Sequence, residues 1–404
     1  MISKIHYGTQ SCGPQCCGLS KNYIHLSQNK NLMEKTFVYG MAVSGDNFTD
    51  REKETRRIKA NFENGVNTIL ISPRRMGKTS LVNKVCDMVK IPGIITVRMD
   101  IYNCRSEYDF YNTFCTEILK QTSTKMEQAI ESVKEFLGRV VPKISISPDS
   151  VTDYSLSLGL TPKNVAPDEI LALPEKIATK RNCHLIVCID EFQQIGEFPD
   201  TLSVQKKLRS VWQHFKNVSF CFYGSRKHMM ENIFQNKRMP FYQFGDMVIL
   251  GRISTEDWVE YIVSRFFEKG KIISIEQAKR ICETVDNYSS YVQQLSWNVF
   301  VNTEKEVDDQ SITRGMDDLM AQCSSLFIQQ TNGLSSYQMN FLRAICDGTH
   351  SDFGSKAVLE EYNLGSKSNI SRLKKSLQEK ELIEIKKEGI FISDPILEIF
   401  LKGR

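Results

Sequence analysis

The chain has 404 residues and a formal net charge of +4, from 52 basic and 48 acidic side chains. Its 41% hydrophobic, 25% charged and 10% aromatic residues are globular values that exclude a disordered or fibrous chain, and its length implies two or three domains rather than one core. The strongest apolar runs, such as Leu185–Ile189, fall far short of the roughly 20 residues of a membrane helix, and so small a net charge points by itself to neither nucleic acid nor membrane.

Residues 1–36 carry no sustained period, so a disordered leader is expected there, with Met33 an alternative start of translation. Residues 1–32 also lack the basic-then-apolar layout of a secretory signal, which places the protein in the cytoplasm. Most of the twelve cysteines are dispersed in apolar patterns and read as buried, reduced thiols. Cys12, Cys16 and Cys17 cluster without a second pair at ligand spacing and make a poor zinc site.

Order begins at Phe37. A helix is expected over 50–63, stopped by Asn64-Gly65, then a strand over 66–71, a turn containing Pro73 and Gly77, and a helix resuming over 81–89. A second strand spans 94–99 and a long helical stretch 107–137. Alternating KISIS and YSLSL around Pro148-Asp149-Ser150 predict a β-hairpin insertion over 143–160. Helices over 167–180, 201–216 and 226–235 then alternate with strands 184–189, 218–223 and 247–250. Such alternation predicts a mostly parallel α/β sheet covered on both faces, over 37–252. Only helices follow, over 255–269, 275–286, 289–302 and 311–330, a helical domain over 253–332. In 333–404 three short helices precede a strand pair, 383–385 and 390–392, the order of a winged helix-turn-helix.

Chemistry concentrates in the turn Ser72-Pro73-Arg74-Arg75-Met76-Gly77-Lys78-Thr79-Ser80. Between a strand and a helix, backbone N–H groups surround phosphates, Lys78 reaches the β and γ oxygens, and Thr79 offers its hydroxyl to Mg²⁺. This is a P-loop with Ser72 where the full pattern has glycine. The strand ending in Asp190-Glu191 supplies the complementary acids, Asp190 for magnesium and Glu191 to polarise the attacking water. Ser225, after the strand 218–223, has two readings: a γ-phosphate sensor or a plain turn serine. Arg74 and Arg75 either touch phosphate or form a solvated basic bump. Arg226, Arg238 and Arg252 are the candidates for an arginine finger.

With those residues in view, 37 to about 300 resembles the archaeal-type ATPase family of the STAND branch of AAA+ proteins. The marks are Phe37-Val38-Tyr39-Gly40, Phe48-Thr49-Asp50-Arg51-Glu52, the loop Ser72–Ser80, Ile189-Asp190-Glu191-Phe192, Gly224-Ser225, Pro240-Phe241-Tyr242 and Tyr291-Val292-Gln293-Gln294-Leu295. Asp50 stands where the family has glycine before Arg51, and Asn287-Tyr288-Ser289 where it often has a proline-ended lid motif. The resemblance implies a P-loop NTPase core with a parallel sheet, a helical lid and a winged helix. It also implies a nucleotide site drawing on Arg51 and the Ser72–Ser80 loop, with ATP and Mg²⁺ as cofactors. The expected activity is a slow ATPase acting as a nucleotide-dependent switch. The alternative is a DNA-binding regulator with a vestigial or binding-only site. Its candidate contacts are Lys367, Asn369, Arg372, Lys374 and Lys375, though 335–404 holds only eleven basic against ten acidic residues. A protein partner or self-association is a third reading.

Overall fold

The computed structural model describes residues 35–43, 45, 48–123, 128, 135–136, 145–147, 155–157 and 166–403, with Thr36–Arg404 forming one compact unit. The expected leader up to residue 34, Met33 and the cluster Cys12, Cys16 and Cys17 lie outside the described residues.

β-Branched and aromatic runs form five parallel strands: β1 (Thr68–Ile71), β2 (Ile94–Asp100), β5 (His184–Asp190), β6 (Val218–Gly224) and β7 (Asp246–Ile249). Their order is β2-β5-β6-β1-β7. Registers Thr68↔Cys221 and Cys188↔Cys221 set the carboxyl ends of β1, β6 and β5 side by side. Period-two alternation divides the buried residues between two faces. Ile69, Val187, Ile189, Phe220 and Phe222 enter one core, with Trp212 stacked on Phe220 at 4.4 Å and on Phe114 at 5.7 Å. Leu70, Ile186, Cys188 and Tyr223 enter the other, which runs without a break through the helices beyond residue 255 and into the C-terminal module.

The hairpin insertion appears as β3 (Ser145–Ser147) antiparallel to β4 (Ser155–Ser157), and its turn lies outside the described residues. The helix expected over 167–180 is split into Pro167–Leu171 and Leu173–Arg181. Pro174 explains the break, because it lacks an N–H and crowds the preceding turn. Helix Glu52–Glu63 starts two residues later than expected, since Asp50 and Arg51 both adopt left-handed backbone, φ 55° and 70°. Asp50 thus occupies the conformation a glycine would favour there.

Helices Thr255–Glu268, Ile275–Thr284, Ser289–Val301 and Asp309–Asn332 follow the sheet. Ser254, Ser274 and Asp308 cap three of them, each accepting from a backbone N–H of the first turn. The C-terminal module comprises helices Ser336–Cys346, Lys356–Glu361 and Lys367–Glu379, the hairpin β8 (Ile383–Lys386) and β9 (Gly389–Ile392), and a last helix Pro395–Lys402. That helix was not expected; it brings Phe400 within 5.4 Å of Phe327. No helix among the described residues is long and apolar enough to cross a membrane. The described cysteines are free, and most are buried.

Candidate nucleotide site

In an open parallel sheet, ligands collect beyond the carboxyl ends of the strands. There β1 gives way to the turn 72–77, and the helix Lys78–Met88 begins at Gly77, whose φ of 83° puts it in the left-handed region. A Cβ at Gly77 would project into open space, so its side chain is dispensed with for backbone geometry. The loop forms one wall of a cavity of about 510 Å³. Opposite lie Glu191 and Ser225, and Val38, Ile253 and Trp258 give the cavity an apolar part.

Lys78 is buried, and its Nζ donates to the carbonyls of Ser72 (3.2 Å) and Pro73 (2.8 Å). Burial pulls its ammonium down to about 8 despite the nearby carboxylates of Glu191 and Asp190. Thr79 Oγ1 donates to Asp190 Oδ2 at 2.9 Å. Burial pushes Asp190 up to about 6, opposed by the bonds from Thr79 and from the Glu191 N–H. Glu191 has left-handed backbone, φ 53°, and its Oε2 accepts from Ser225 Oγ at 3.0 Å. Lys78 thus faces a cavity that Glu191 also lines, with Asp190 bonded to Thr79 beside it.

These residues fit Mg²⁺ with a polyphosphate. Among the described residues no group of three or more His, Cys, Asp or Glu is placed to hold a metal. Magnesium does not need such a group, since it takes one or two protein oxygens and fills its shell with water and phosphate oxygens. Thr79 and Asp190 offer that oxygen pair.

The other sequence candidates are more dispersed. Arg51 is buried and lines the same cavity, donating to Gly251 O (2.6 Å) and Met76 O (3.5 Å), so it braces the loop. Ser80 Oγ accepts from Val43 N at 2.8 Å, and Val38 N donates to Gln293 Oε1 at 3.1 Å, which ties the strip 38–43 across the cavity mouth. Arg74 and Arg75 turn their guanidinium groups to the C-terminal module, Arg74 to Glu381 (2.8 Å) and Arg75 to Asp394 (2.9 Å). Arg75 also lies 4.6 Å from the Tyr291 ring, whose hydroxyl donates to Asp394 at 2.6 Å. Lys227 adds a third pair, to Glu384 on β8, at 2.7 Å. Among the finger candidates, Arg226 pairs with Glu197, Arg252 pairs with Asp286, and Arg238 is exposed.

On helix Lys367–Glu379, Lys367, Arg372 and Lys375 are exposed. Lys374 is half-buried, 5.7 Å from the Phe353 ring. Asn369 donates to Leu364 O at 3.0 Å and accepts from Arg372 at 2.8 Å, which commits its amide locally. Sequence reasoning missed Glu381, Asp394 and Gln193. Asp394 had a signal, an acid directly before a proline that opens a helix. Gln193 had one too, two residues past Glu191. Glu381 had none, because its partner is 307 residues away.

The sheet order, the loop and the acids facing it define a P-loop NTPase fold, and the C-terminal module is a winged helix. Residues 325–403 match the family model described as a probable winged helix domain, from within the helix Asp309–Asn332 onward. Among solved structures the chain is similar to the Walker-type ATPase paby2304 of Pyrococcus abyssi, at 17% identity and a TM-score of 0.67, covering 91% of this chain and 100% of that one. It is similar also to the ORC2 protein of Aeropyrum pernix in its ADPNP-ADP complexes, at 12% identity and a TM-score of 0.54, covering 89% and 96%. At these identities the likeness is one of fold. No curated protein matches the chain in sequence.

Proposed function

We propose that the protein binds and slowly hydrolyses ATP with Mg²⁺, as a nucleotide-dependent switch of the STAND type that sets the posture of its winged helix. The observation that carries this reading is the 2.9 Å bond from Thr79 to Asp190, which joins the P-loop to the acidic strand end, with Lys78, Thr79 and Glu191 lining one cavity. Gly77–Ser80 cradle the phosphates, Lys78 neutralises the β and γ oxygens, Thr79 and Asp190 hold the metal, and Glu191 accepts the proton of the attacking water. Bound Mg²⁺ supplies charge neutralisation at the phosphates. Turnover is slow because Arg226 and Arg252 are already paired with acids and Arg238 is exposed outside the cavity lining, which leaves transition-state charge mainly to Lys78 and the loop amides.

Coupling runs through the same loop. Arg74 and Arg75 belong to the phosphate-binding turn, yet their side chains are held by Glu381 and Asp394 of the winged helix. Phosphates drawing on the loop compete for those arginines and loosen the module. The buried free thiols suit a reducing compartment such as the cytoplasm. Calorimetric titration of ATP and Mg²⁺ into wild type, Lys78→Ala and Glu191→Gln tests the reading: identical isotherms for all three would overturn it.

The exposed Lys367, Arg372 and Lys375 favour a second role, contact with duplex DNA through the helix Lys367–Glu379. Gel shifts across a salt series test it, with Lys374→Ala and Lys375→Ala expected to flatten the slope.

A further inference from the structure

Glu191 sits where the chain leaves β5, with left-handed backbone that aims its carboxylate across the end of β6. Three donors converge on one of its oxygens. Ser225 Oγ reaches Oε2 at 3.0 Å, Ser225 N at 3.4 Å, and Gln193 Nε2 closely as well. No donor among the described residues bonds to Oε1. The carboxylate is thus fixed in plane and direction, with a single oxygen free to accept a proton.

Gln193 owes its orientation to β6. It is 3% exposed, and its Oε1 has no hydrogen-bond partner. That oxygen lies against Gly224, so close that a Cβ there would come within 1.9 Å of it. Glycine at 224 is therefore what admits the amide. An unpartnered buried oxygen is costly, a cost the fold tolerates to keep Nε2 on Glu191.

We propose that Gln193 and Ser225 are positioning residues that pin Glu191 through Oε2 and leave Oε1 as the base for the attacking water. The inference rests on the ATPase reading above. It also gives Ser225 a task other than γ-phosphate sensing, since its hydroxyl is spent on the glutamate. The energetic logic is orientation: a base displaced by about 1 Å costs on the order of a hundredfold in rate.

The test is single-turnover ATP hydrolysis and ATP affinity on the full chain. The variants are Gln193→Met, which keeps volume but removes the donor, Ser225→Ala, Ser225→Thr, and Gln193→Met combined with Glu191→Gln. The expected result is a fall of about ten- to a hundredfold in the hydrolysis rate for Gln193→Met and Ser225→Ala, with ATP affinity unchanged. Ser225→Thr, which retains the hydroxyl, should restore most of the rate. Once Glu191 is glutamine, removing Gln193 should do nothing more. Full activity in Gln193→Met and Ser225→Ala, or the same proportional loss in the Glu191→Gln background, would overturn the proposal. If Gln193→Met fails to bind ATP because its core is disturbed, the Ser225 pair decides alone. Failure of wild type to bind ATP would instead sink the ATPase reading itself.

Discussion

The P-loop meets carboxylates on two sides, and the sides differ in kind. Inward, Lys78 and Thr79 face Glu191 and Asp190, where burial shifts both Lys78 and Asp190 toward neutrality. Outward, Arg74 and Arg75 meet Glu381 and Asp394, with about a quarter to a half of each side chain exposed. The inner set is desolvated and held ready for an incoming charge. In the outer set the Arg74–Glu381 pair is more open to solvent and to salt, whereas burial pushes Asp394 up despite Arg75 beside it. One loop thus carries a chemical face and a mechanical one.

Removing the inner cation should have the largest effect. Lys78→Ala is expected to weaken ATP binding by roughly a hundredfold or more, since a buried charge-assisted contact is lost, measured by calorimetry. Glu191→Gln should retain binding and slow hydrolysis by about 10²- to 10⁴-fold, seen as ATP retained after gel filtration. Proton linkage sharpens the contrast further. Lys78, near 8 in the free protein, must be charged to meet phosphate, so ATP binding at pH 8–9 should take up a proton. Asp190, near 6, must be ionised to hold a cation, so metal-dependent affinity should fall as pH drops through 6. Calorimetry in buffers of different ionisation heat reads both signs, and proton release at pH 8–9 would contradict the inner pairing.

The outer face should respond more gently. Asp394→Asn keeps the cap on Ile396 and Leu397 N–H while removing the partner of Arg75. Because the oxygen that meets Arg75 also accepts from the Tyr291 hydroxyl, the change should cost roughly 1–2 kcal/mol in stability and raise hydrogen exchange in Pro395–Lys402. High salt should mimic it in wild type. If exchange in that helix does not change, the arginines do not hold the module. The smallest effect is expected on DNA affinity from Lys375→Ala, whose ammonium is already shared with Glu379 at 3.9 Å.

The inner face was legible in the sequence because its parts are local. Gly77-Lys78-Thr79 lies between β1 and a helix, Asp190-Glu191 ends an apolar strand, and period-two runs gave the sheet. The outer face was not, because Arg74–Glu381 and Arg75–Asp394 join residues over 300 positions apart, which no spacing encodes. Pro174 did carry its own signal, and the long apolar period around it masked that. The last helix was hidden for a different reason: eight residues, Pro395–Lys402, are too few to establish a period.

The unbroken apolar core joining the Lys78–Met88 helix to the winged module limits how that module can travel. Swinging it free would wet Phe327, Phe400 and Leu397 together, a penalty no pair of surface arginines could offset. Motion that keeps those side chains dry is a pivot or a slide along the seam. A signal sent by this protein would then be a few ångströms of tilt, and its receiver must be built to feel an angle rather than a newly uncovered surface.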